Sequence, residues 1–168
     1  PLPPWWPSSM YFFALSQAPP PVHIEIATNR PVTIVPISIP PSAAGPDKPL
    51  PDIELKPAAS RLRTNYQMAL VKWLRDQTSN VAAAGLMNAL DGLRSITFLE
   101  DSRRLWWVAA GLLDGVRNGL VDANQAVKLL FGRVDREIKR LADVGEQTFK
   151  VEPPRDLVKN LLYYTAHA

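Results

Sequence analysis

Few side chains in this chain have the types and spacing that catalysis needs. It holds two histidines, His23 and His167, and no cysteine. Those counts exclude a histidine metal cluster, a thiol nucleophile, a cysteine-rich zinc site and a disulfide framework. A phosphotransfer acceptor sits in mid-helix within a stretch resembling His-x-x-Lys-Gly, and neither histidine has that setting. His23 lies among prolines and His167 is the penultimate residue, where a helix end frays. Surface histidines without a role are the plainer reading of both, and His167 stays as the residual phosphoacceptor candidate. Glu100-Asp101 reads as helix-start chemistry that complements the macrodipole rather than as an acid/base pair. Gly111 and Gly115 are not followed by Gly-Lys-Ser/Thr, so they form no phosphate loop. No nucleophile elbow, Glu-x-x-His or Walker pattern occurs. The inventory thus holds no catalytic residue and no metal ligand, and no cofactor is expected.

The remaining candidates are interaction residues. Arg133, Arg136 and Arg140 share one helical face with Lys139 beside them, a pattern that can meet phosphate or a nucleotide ligand. Arg133 with Glu137 and Asp135 with Lys139 are i,i+4 pairs worth a few tenths of a kcal/mol each, so a solvated, salt-bridged face is the simpler reading. Trp106 and Trp107 follow Arg103 and Arg104. Adjacent helical positions are about 100° apart, so one indole belongs in the core and the other against a second surface. That surface is a neighbouring helix, the N-terminal arm or a partner protein. Trp5 and Trp6 are the corresponding aromatic anchors of the arm.

These residues must be held by two unlike halves. Of the 17 prolines, 15 lie in residues 1–57 and the others are Pro153 and Pro154. Proline removes a donor and fixes φ, so residues 1–57 are expected to be an extended arm. Val22, Ile24 and Ile26, then Val32 to Ile39 beyond a turn, suggest a short hairpin whose second run Pro36 demotes to an edge. The aromatics at 5, 6 and 11–13 need burial, which predicts that the arm docks on an apolar groove of its own bundle or of a second copy. From Ala58 the apolar period becomes 3.6. Leu62, Tyr66, Ala69, Leu70, Trp73 and Leu74 mark a helix over 58–76. Ser79 or Asn80 caps a second, Asp101 or Ser102 a third that stops at Gly119, and Asp122 a fourth that ends near Gly145. Pro153 and Pro154 precede a fifth. The fold class expected is all-α, an antiparallel bundle of about five helices over 58–168. Its core is expected to include Tyr66, Leu70, Trp73, Leu90, Leu112, Val134, Ile138, Leu141, Leu161 and Leu162.

The 168 residues are 46% apolar and carry a formal charge of only +3. Although the pI is near 9.4, there is no aromatic-rich basic patch, recognition-helix signature or zinc knuckle, so no nucleic-acid partner is expected. No run of 18 apolar residues is present, which argues against membrane insertion. The chain opens on Pro1 without a basic leader, and the expectation is a piece of a longer cytoplasmic protein.

Four stretches carry a resemblance: LRTNYQMALVKWLRD at 62–76 with Arg61, RRLWWVAAGLLDGV at 103–116, LFGRVDREIKRLADVGE at 130–146 and EPPRDLVKNLLYYTAHA at 152–168. Together they resemble the N-terminal region of the chemotaxis-like hybrid histidine kinases of type IV pili and twitching motility (the ChpA/PilL type) and the related FimL family. The resemblance implies an Hpt-like or scaffold module that binds a signalling or pilus-related partner, with self-association through the arm as a further route. It carries over no active site, because the phosphoacceptor motif has no match here. The alternatives are a phosphotransfer domain that uses His167, or a basic helical domain that binds a phosphorylated or nucleotide ligand.

Overall fold

Helical periodicity governs everything the structure describes. That structure is a computed structural model which describes residues 45–166. Trp5, Trp6, His23 and His167, the hairpin expected at 22–39 and the docking of the arm lie outside the described residues. Within them the chain forms α1 (Asp52–Arg75), α2 (Asn80–Ile96), α3 (Glu100–Arg117), α4 (Gln125–Val144), the single turn α5 (Thr148–Val151) and α6 (Arg155–Ala166), with no strand. The five long helices close a ring in the order α1, α2, α3, α6, α4 and back to α1, while α5 bridges α3 and α4 at one end. An all-α bundle was the expectation, and α5 is an addition to it.

The first helix starts at Asp52, inside the stretch read as arm, and carries Pro57 within it. Proline there forfeits one backbone bond. Tertiary burial outweighs that loss, because Leu55 and Ala59 on either side are enclosed in the core. The acidic first turn, with Asp52 and Glu54, also suits the amino end of a helix.

Two of the expected helix signals hold as read. The Ser79 hydroxyl accepts the Ala82 N–H at 3.2 Å and caps α2. At the end of α3, Gly119 has φ +70°. The Leu120 N–H bonds the Gly115 carbonyl at 2.9 Å and the Gly119 N–H bonds that of Val116 at 3.1 Å, the paired pattern of a Schellman stop. Two others need correction. The cap of α4 is Asn124, whose side chain accepts the Val127 N–H at 2.9 Å, because the chain takes one more turn after Asp122 before the helix begins. For α3 neither Asp101 nor Ser102 is the cap. The helix starts at Glu100 after Leu99, which has no side-chain acceptor to offer.

The core runs through the middle of the ring. All ten residues expected there are buried, and Trp73 and Phe131 meet edge to face with ring centroids 5.1 Å apart. Leu74 is the exception in the α1 stripe, at 39% exposed. Trp73 takes the inward position and its neighbour is turned about 100° away. Leu112 is fully enclosed on α3. Leu112→Ala is therefore expected to cost about 2–5 kcal/mol, read as a lower urea midpoint with an unchanged slope. An unchanged midpoint would show that α3 does not pack as described.

Candidate functional site

Polar chemistry in the bundle is concentrated at helix ends and helix contacts, and the α3 amino end shows it best. Gly145 ends α4 with φ +101°, a backbone state that side-chain-bearing residues rarely adopt. That turn sends Glu146 beneath the start of α3. Its Oε1 accepts the Phe98 N–H at 2.6 Å, the Leu99 N–H at 2.5 Å and the Ser102 hydroxyl at 2.8 Å. A carboxylate at this position also faces the positive end of the α3 dipole. Glu146 is 3% exposed, and its Oε2 has no partner among the described residues. The acceptor that α3 lacks locally thus comes from more than forty residues away.

Further contacts join α1 to α4. Arg63 grips Asp135 through two parallel bonds of 3.1 Å, and Gln67 adds one of 3.3 Å. The buried Tyr66 hydroxyl donates to the Phe131 carbonyl at 2.7 Å. Burial, reinforced by the Asp135 charge, holds the Tyr66 phenol well above its ordinary pKa. It therefore remains a neutral donor under all physiological conditions.

The expected ion pairs on α4 are replaced by others. Asp135 turns across to Arg63 instead of along its helix to Lys139, which pairs with Asp143 at 2.7 Å. Glu137 pairs with Arg140, not with Arg133. A cross-helix fork makes two geometrically matched bonds in a part-buried setting, which a surface i,i+4 pair cannot do.

The arginine triad is split by the same contacts. Arg140 donates to Glu137 at 2.8 Å and to the Glu152 carbonyl at 2.9 Å, and its guanidinium sits 4.4 Å from the Phe149 ring centroid. It clamps the α5 turn. Arg133 is half-buried and Arg136 exposed, so the three do not form one free basic face. The tandem tryptophans divide too. Trp106 is wholly enclosed and meets Phe149 edge to face at 6.0 Å. It is therefore withdrawn from any partner. Trp107 is half-buried, with the Arg94 guanidinium 6.0 Å from its ring, so its second surface is the neighbouring α2.

A surface feature that the sequence reading did not single out lies between α1 and α2. Here Gly85 brings the helices so close that an added Cβ would sit 2.9 Å from the Ala69 Cβ. The close approach leaves an open groove of about 340 Å³. Its signal in the sequence was Ala82, Gly85 and Ala89 on one face of α2, opposite Ala69 of α1. No group of three potential metal-ligating side chains occurs among the described residues, and no helix there is long and apolar enough to cross a membrane.

A ring of helices joined by the cross-helix contacts of Glu146, Arg63, Asp135 and Arg140 defines an all-α packing module. Residues 51–168, starting at the residue that precedes α1, match the family described as the FimL scaffold protein second domain, and the chain belongs to that family. It is 33% identical over 127 residues to the scaffold protein FimL of Pseudomonas aeruginosa strain PAO1. The alignment covers 76% of this chain and 22% of that protein, so the chain spans about a fifth of its relative's length. No solved structure matches the chain. The FimL part of the resemblance seen in the sequence is thus borne out.

Glu146→Ala strips the part-buried Phe98 and Leu99 amides of their side-chain acceptor, a loss of about 1 kcal/mol. Faster hydrogen exchange at Phe98 and Leu99 is the expected signature, and unchanged protection there would refute the capping role. A second outcome concerns pH. The native Tyr66 stays protonated while the unfolded phenol ionises at about pH 10, so its contribution is complete below that pH and is lost as pH rises further. Tyr66→Phe should flatten this alkaline decline in stability while costing about 1 kcal/mol near neutrality; an unaltered alkaline limb would contradict the assignment.

Proposed function

We propose that residues 51–168 form a non-catalytic scaffold module in a chemosensory, two-component signalling system that governs type IV pili and twitching motility, working in the cytoplasm. The observation that carries this reading is the family membership together with 33% identity to a protein named as a scaffold. What the side chains do supports it. Glu146, Asp135, Arg63 and Arg140 hold helices to one another, and such a rigid body suits a part that positions others. The kinship with ChpA/PilL-type kinases rests on the sequence stretches quoted above. On that reading the module works beside, or as part of, a histidine kinase assembly, and its partner is a signalling or pilus-related protein.

Two strains separate the scaffold reading from a phosphotransfer one. An in-frame deletion of residues 51–168 is expected to abolish twitching zones and surface pili while levels of the remaining protein stay normal. The double variant His23→Gln, His167→Gln is expected to twitch normally and to show the same absence of acid-labile phosphate as the parent. Motility that survives the deletion would refute the scaffold role. Motility lost in a stably folded double variant would overturn the scaffold reading in favour of the phosphotransfer one.

A further inference from the structure

We infer that the groove between α1 and α2 receives an acidic amphipathic helix of a partner protein, an inference that rests on the scaffold reading above. The floor is low and apolar. Ala69, Ala82, Gly85 and Ala89 present nothing beyond a Cβ, so a bulky side chain entering from outside has room. The walls are open to solvent and mix apolar side chains, Met68 at 59% exposed and Val81 at 77%, with Asn65, Asn88 and Lys72. A single exposed methionine or valine is ordinary, but a pair flanking a concavity is the arrangement that binding sites use.

Charge determines the kind of occupant. Arg61, Lys72 and Arg75 are exposed on α1, within about 60° of one another around its axis at 100° per residue. None has a carboxylate within ion-pair distance among the described residues. Lys56 and Arg63 of the same helix are paired, with Asp52 and Asp135. What sets Arg61 and Arg75 apart from other unpaired bases such as Lys128 and Arg136 is that they share one side of α1 with the groove-lining Lys72. Of the two nearby acids Asp91 has a cationic partner, whereas Asp76 is held by neutral donors and keeps its charge. Asp76 accepts both the N–H and the hydroxyl of Thr78, and Asp91 faces Arg94 at 3.6 Å. The groove has a small-residue floor, Lys72 in its lining, and Arg61 and Arg75 along the same side of α1 against the unpaired carboxylate of Asp76. This positive surplus favours an acidic partner in rate and in register.

Backbone bonding determines the shape of that occupant. Both walls are helices whose amides and carbonyls are bonded internally, so no sheet edge is offered and recognition must run through side chains, as in helix-in-groove complexes. The lining on α1 extends from Leu62 to Lys72, roughly 15 Å at 1.5 Å per residue. That length matches about three turns of a helix with apolar anchors at i, i+3 or i+4, and i+7. The chain's own residues 1–44 fit less well. They contain one acid, Glu25, and one base, Arg30, and so offer no surplus negative charge to the rim.

The test is a display selection on the full chain from a library of helix-forming peptides about five turns long (~18 residues), with every position randomised. Enriched peptides are expected to carry Leu, Met or Phe at the helical spacing above and an excess of Asp and Glu. A synthetic copy should bind at least about tenfold more weakly to Met68→Glu, to Val81→Glu and to the double variant Lys72→Glu, Arg75→Glu, and more weakly at high salt. These positions are exposed, and an unchanged circular dichroism melt shows that each variant folds. Basic peptides, aromatic and proline-rich peptides like residues 1–13, or binding insensitive to all three variants would overturn the proposal. So would dimerisation of the chain that Met68→Glu abolishes, since a second copy would then occupy the groove. If motility depends on residues 51–168 yet no acidic peptide is selected, this inference falls and the scaffold reading stands.

Discussion

A helix terminus drawn partly out of water needs acceptors for its free amides, and the rest of this bundle is arranged around how α3 meets that demand. Helix α3 packs against α2 on one side and α6 on the other, and its amino end is part-buried, with Ser102 enclosed while Phe98 and Glu100 stay exposed. Leu99 precedes it with no acceptor of its own. Glu146 fills the gap, and to do so α4 must end where it does and turn through a positive φ at Gly145. The end of α4, the α5 turn and the start of α3 are thereby tied into one unit. Arg140 and Phe149 close it from the other side, with Trp106 beneath.

The contacts between α1 and α4 show the same economy in a different chemistry. Arg63 and Asp135 are 72 residues apart in sequence, and Tyr66 reaches a backbone carbonyl of α4 from the middle of α1. An exposed pair along one helix contributes a few tenths of a kcal/mol. A part-buried bidentate pair contributes more and also sets the register of the two helices. Asp135 serves the cross-helix contact because its neighbours on α1 converge on it. Lys139 and Glu137 then turn to the nearest carboxylate and guanidinium left over. What reads in sequence as a basic face is thus a mixture of clamps and surface, and on α1 the unpaired Lys72 lines the groove.

Much of the architecture was legible from local chemistry. The 3.6 period of Tyr66, Leu70 and Trp73, the Ser79 cap, the Gly119 stop and the paired prolines before α6 are signals within a turn or two of the structure they cause. Each is satisfied by its own neighbourhood, so sequence alone determined that this stretch is an all-α bundle, where most helices stop, and which face of each turns inward. The division of Trp106 from Trp107 followed in the same way from the angle between adjacent residues. The start of α1 did not. Pro57 is a valid local argument against helix, and the burial of Leu55 and Ala59 overrides it.

Contacts that join distant residues were decided only by the tertiary structure. Nothing near Leu99 says that Glu146 will cap it, and nothing near Asp135 says that Arg63 will arrive before Lys139. The groove is the same kind of fact. Ala82, Gly85 and Ala89 read as small residues until α1 lies against them, and only then do Met68, Val81 and the unpaired Lys72 border one concavity. The physical reason is the range of the forces. Helix propensity, capping and amphipathic period act over a few residues and are written where they act. The partner of a buried charge, or the shape left between two packed helices, depends on which surfaces the closed ring brings together.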